Sequence, residues 1–82
     1  MKRVLRAYIL VTAKPGTSEE IVKAIRNMRK VEGIKFADSV YGRFDAIIGV
    51  EVEDLEELTR LTYEIIERLP NIIHTETLIT LT

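Results

Sequence analysis

The chain has 82 residues, with 12 Lys and Arg against 13 Asp and Glu, a net charge of −1, one histidine and no cysteine. Disulfides and cysteine-held metals are excluded, a histidine-rich metal site is impossible, and so even a charge balance is no electrostatic footprint for nucleic acid. The apolar runs are far too short to cross a membrane as a helix.

This size predicts a single domain over residues 1–82. Such a chain buries only about 60–65% of the surface it exposes when unfolded, so association is a natural source of further stability. The opening, MKRVLRAYILV, is basic and then apolar. Arg6 interrupts the apolar run and no small-residue cleavage site follows, so it reads as a strand of a cytoplasmic protein rather than a signal peptide. Lys2, Arg3 and Arg6 read as a charged strand end.

Val4 to Ala13 is rich in Val, Ile, Leu and Tyr and predicts the first strand. Lys14-Pro15-Gly16-Thr17 ends it. Ser18 is placed to cap a helix from about Glu19 to Lys30, with Glu19 and Glu20 in the first turn and Arg26, Arg29 and Lys30 toward the end. Its apolar stripe is Ile21, Val22, Ile25 and Met28. After Gly33 the residues from Ile34 to Tyr41 alternate as a second strand, with Ile34, Phe36, Asp38 and Val40 on one face.

Tyr41-Gly42-Arg43-Phe44 is a turn, and a third strand runs from about Phe44 to Val52. Asp54 then caps a second helix whose stripe is Leu55, Leu58, Leu61, Thr62, Ile65 and Leu69, stopped by Pro70-Asn71. Ile72 to Leu81 is the fourth strand.

The order β-α-β-β-α-β predicts an α+β, ferredoxin-like fold: a four-stranded antiparallel sheet with both helices on one face. The first and third strands lie in the middle, and Leu5, Ala7, Ile9, Val11 and Ala13 face the same side as Phe44, Ala46, Ile48 and Val50. The opposite face holds Tyr8, Leu10, Ile47 and Gly49, apolar where a wet sheet face should be polar. A second copy of the chain, sheet against sheet, is the simplest cover. Gly49 reads as a point of close packing against that partner.

Three stretches, AYILV, VYGRFDAIIGV and LPNIIHTETLITL, together resemble the ligand-binding (RAM) domain of the Lrp/AsnC transcription regulators. The resemblance covers about Arg6 to Leu81 and rests on the G-x-F-D turn before an apolar strand and on the T-x-T of the last strand. It implies an effector domain that binds a free amino acid. It also implies a dimer of α/β-barrel-like form that assembles into octameric or decameric rings, with ligand sites where dimers meet. Met1 leads directly into the first strand, with no room for the family's helix-turn-helix. The expectation is therefore a stand-alone module that acts through its own assembly, or through mixed assembly with a full-length regulator.

A free amino acid needs acceptors for its ammonium and donors for its carboxylate. Turn amides at Gly42, Arg43 and Phe44 can serve the carboxylate, Asp45 the ammonium, and Thr75 and Thr77 either end. Tyr41 is placed beside them. The resemblance carries Gly42, Asp45, Thr75 and Thr77 into the site most directly. Each also has a plain structural role to play: Asp45 as turn chemistry, Arg43 as a solvated charge, Tyr41 as an interface aromatic, and the threonines as strand formers.

His74 beside Glu76 has no third partner and makes a poor metal site. No nucleophile–base pair stands out, so neither catalysis nor a cofactor is expected. The rival readings are an ACT-like module with its ligand at Lys14 to Ser18, an assembly-only module, and a small dimeric α/β-barrel monooxygenase or isomerase.

Overall fold

The computed structural model describes residues 4–28 and 33–81. Leu5–Ala13 forms β1, Ser18–Asn27 α1, Ile34–Ser39 β2 and Ala46–Val52 β3. Leu55–Arg60 forms α2, which continues as a π-helical segment over Leu61–Ile66, and Ile72–Ile79 forms β4. The sheet order is β2-β3-β1-β4, antiparallel throughout. The two most apolar strands are central, as their composition requires.

Alternate residues build the core. Ala7, Ile9, Val11 and Ala13 of β1 and Ala46, Ile48, Val50 and Val52 of β3 are buried with Ile21, Val22 and Ile25 of α1 and Leu58, Leu61 and Ile66 of the second helix. All of these strand residues lie on one sheet face, so both helices cover that face. Asp54 caps α2 by accepting from the N–H of Glu57 at 2.8 Å, and Glu57 Oε2 accepts from the N–H of Glu53 at 3.1 Å. This is a near relative of the capping box.

Four local expectations shift. Thr17, not Ser18, is the N-cap residue of α1; Ser18 Oγ instead lies 2.8 Å from Ser39 Oγ. The helix ends at Asn27, and its expected continuation through Arg29 and Lys30 lies outside the described residues.

In β2 the alternation breaks. Ile34 pairs with Val50 but Phe36 pairs with Gly49, so Lys35 is an extra residue. Such a bulge reverses the faces that follow it. Ile34 and Ala37 are buried, while Phe36 turns to the open face. In the second helix, Leu55 is 59% exposed and Ile66 is fully buried. The π-helical segment admits an extra residue and advances the buried stripe by one position.

Gly49 does mark close packing, but the packing partner lies in the same chain. A Cβ on Gly49 would sit 2.0 Å from Cε1 of the Phe36 ring. The ring thus lies flat over the glycine and tilts against Tyr8, with centroids 6.4 Å apart.

Candidate functional site

The β2–β3 hairpin carries five of the seven predicted site residues. The N–H of Val40 donates to the carbonyl of Asp45 at 3.0 Å and closes the loop. Gly42 has φ 145°, a conformation costly to any residue with a Cβ, and open space surrounds it. Tyr41 stands fully exposed at the tip, Arg43 is exposed, and Phe44 is half-buried.

Asp45 is tied to β1 by both its backbone and its side chain. Its N–H donates to the carbonyl of Val11 at 2.8 Å, and its Oδ2 accepts from the N–H of Ala13 at 2.8 Å. The carboxylate therefore extends the β3–β1 ladder past the end of β3 and satisfies a strand-end donor. Its other oxygen, Oδ1, takes no hydrogen bond among the described residues.

Thr75 and Thr77 lie elsewhere. They pair with Val11 and Ile9, both buried in the core face, so the threonines share the helix side of the sheet. Thr75 Oγ1 donates to Glu67 Oε2 at 2.6 Å. The central strand β1 separates β3 from β4, which puts Asp45 and Thr75 on strands roughly 10 Å apart. A single chain thus gathers the hairpin residues at one end of the sheet and holds the threonines across β1 from them.

The open sheet face has a different character. Tyr8, Leu10, Phe36, Ile47 and Leu78 lie on it, partly exposed. A shallow depression of about 170 Å³ there is lined by Arg6, Tyr8, Lys35, Phe36, Gly49 and Glu51 among others. The middle is apolar and the rim is charged. The edge strand β2 is fastened by Arg26, whose Nε donates to the carbonyl of Ala37 at 2.9 Å and whose guanidinium meets Asp38 Oδ1 at 3.1 Å.

The Lys14–Ser18 loop, on which an ACT-like site would depend, folds back on itself: Thr17 Oγ1 donates to the carbonyl of Lys14 at 2.6 Å. Among the described residues no three His, Cys, Asp or Glu side chains gather to hold a metal. No helix among them is long and apolar enough to cross a membrane.

Two participants escaped the sequence reading. Strict alternation puts Phe36 on the face of Ile34, because a bulge leaves no mark in a period-two pattern; a glycine opposite an aromatic on the neighbouring strand is the available clue. Glu67 had no local signal, since only the π-helical segment and the fold bring it to Thr75.

The model of the Lrp/AsnC ligand binding domain matches residues 6–82. Among solved structures, FFRP-DM1 is 32% identical, with 93% of this chain and 97% of that one aligned at a TM-score of 0.81. A hypothetical protein from Pyrococcus horikoshii is 31% identical over 95% of this chain and 90% of its own, also at 0.81. The feast or famine regulatory protein from M. tuberculosis, complexed with L-methionine, shares the fold at 22% identity and a TM-score of 0.69. The match takes in 95% of this chain and 50% of that regulator, so this chain is about half its length. No curated protein sequence matches the chain. The chain belongs to the Lrp/AsnC ligand-binding domain family.

Proposed function

We propose that this member of the Lrp/AsnC ligand-binding domain family is a non-enzymatic, cytoplasmic effector module. Its 82 residues act as one self-contained domain that binds a free amino acid between subunits. The observation that carries this reading is the family match across residues 6–82. The L-methionine in the M. tuberculosis protein supports the ligand class.

The separation of the hairpin from the threonines supports a site built from more than one chain. Tyr41, Gly42, Arg43, Phe44 and Asp45 come from one subunit, and Thr75 and Thr77 from another. Asp45 Oδ1 takes the ligand ammonium, Arg43 and the turn amides take its carboxylate, and the threonine hydroxyls serve either end. The apolar sheet face pairs with a second copy, and such dimers build the ring. Ligand that bridges subunits binds some assemblies better than others, and so shifts assembly or the choice of a full-length regulator as partner.

A thermal-shift screen against the twenty amino acids tests this. Wild type is expected to gain melting temperature with one or a few of them, by linkage. Asp45→Asn, which keeps an acceptor for Ala13 but loses the charge, should gain none. No shift with any amino acid, in an assembly shown intact by light scattering, would leave a module whose assembly alone is its function.

A further inference from the structure

The second helix does not end as a plain α-helix. The N–H of Glu67 reaches the carbonyl of Thr62, five residues back, at 2.8 Å. Thr62 Oγ1 in turn donates to the carbonyl of Leu58 at 2.9 Å. The π-helical segment Leu61–Ile66 sets the phase of the residue that follows it. Such segments are rare and concentrate at functional sites. Here the residue that follows is Glu67, and its carboxylate meets Thr75 on β4.

Glu67 is exposed, and Thr75 holds its Oε2. It forms no ion pair among the described residues, and nothing there engages its Oε1. The side chain is thus oriented by one hydroxyl, with its second oxygen open to a partner. Thr75 belongs to the site proposed above, so whatever touches that hydroxyl also meets Glu67.

Charge then constrains the ligand. The seven residues of the proposed site carry one cation, Arg43, and one anion, Asp45. They match the carboxylate and ammonium of any amino acid. Glu67 adds a second anion, and a zwitterion has no second cation to meet it. Resting on the amino-acid reading, we propose that Glu67 is a specificity-determining residue of the site, and that the site takes an amino acid with a cationic side chain, of the lysine or arginine type, and refuses aspartate and glutamate. The side-chain cation bonds Glu67, while the α-ammonium and carboxylate engage the hairpin of the other subunit.

The test is isothermal titration of the 82-residue chain and its Glu67→Gln variant with lysine, norleucine, methionine and glutamate. Norleucine is lysine without its cation. The glutamine oxygen still accepts from Thr75, so the helix end stays in place, and light scattering checks the assembly. Wild type should bind lysine at least about tenfold tighter than norleucine, the discrimination expected of one charge-assisted hydrogen bond. Glu67→Gln should remove that preference while norleucine binding persists. A preference for the neutral ligand, or a lysine preference that survives in Glu67→Gln, overturns the proposal and makes Glu67 a tie between helix and strand; the amino-acid reading then stands. No binding of any of the four ligands to wild type overturns the proposal, and no response to any of the twenty amino acids in the thermal-shift screen overturns the amino-acid reading with it.

Discussion

Replacing Gly49 with alanine tests how the open face is built. The new Cβ would lie 2.0, 2.5 and 2.6 Å from Cε1, Cδ1 and Cζ of Phe36, so the ring must swing off the sheet. Losing on the order of 50 Å² of ring contact costs about 1.3 kcal/mol at about 25 cal/mol per Å². The tilted contact with Tyr8 adds about 0.5–1.5 kcal/mol. Alanine in a strand returns about 0.5–1 kcal/mol relative to glycine. The expected net is a loss of about 1–2 kcal/mol, or about 5–15 °C in melting temperature for a domain of this size. Denaturant unfolding at fixed chain concentration measures it, in a cycle with Phe36→Ala. With the ring already gone, Gly49→Ala should cost nothing or stabilise slightly, which makes the coupling at least about 1 kcal/mol. An equal cost in both backgrounds would refute the stacking argument.

Asp45→Ala should lose about 1–2 kcal/mol, because the N–H of Ala13 loses its acceptor. Asp45→Asn should stay within about 0.5 kcal/mol of wild type in the same unfolding assay, since an amide oxygen replaces the carboxylate oxygen; ligand binding, by contrast, should be lost in both. Asp54→Ala removes the acceptor for the N–H of Glu57 and should cost about 1 kcal/mol. Native-state hydrogen exchange should show that loss first as faster exchange in the first turn of α2.

The central strands were readable because their side chains strictly alternate: Ala7, Ile9 and Val11 against Tyr8 and Leu10, Ala46 and Ile48 against Ile47 and Gly49. Burial follows that parity in both strands except at Gly49, which the Phe36 ring covers from the open face. What escaped shares one cause. Lys35 is an extra residue in β2, Ile73 is extra where β4 passes Thr12 and Ala13, and the π-helical segment holds one more in the second helix. A single inserted residue changes every phase that follows it, yet leaves local composition untouched. Such insertions are settled by tertiary packing, here by the fit of Phe36 over Gly49 and of Ile66 into the core.

The site was legible only in parts. Gly42 and Asp45 stood out as turn chemistry before an apolar strand, and both occupy strained or bonded positions at that hairpin. Thr75 and Thr77 stood out as a pair, and they do share one face. That the face is the helix side, across β1 from the hairpin, depends on sheet order, which no local pattern carries. The proposed site between subunits rests on this separation.

Sedimentation velocity of the wild-type chain, titrated with the amino acid that binds best, is the most direct measurement of that shared site. A ligand that bridges subunits must shift the distribution toward one assembly, and its apparent affinity must rise with chain concentration. A ligand bound with the same affinity at every chain concentration, with the distribution unmoved, would place the site within one subunit and contradict the account.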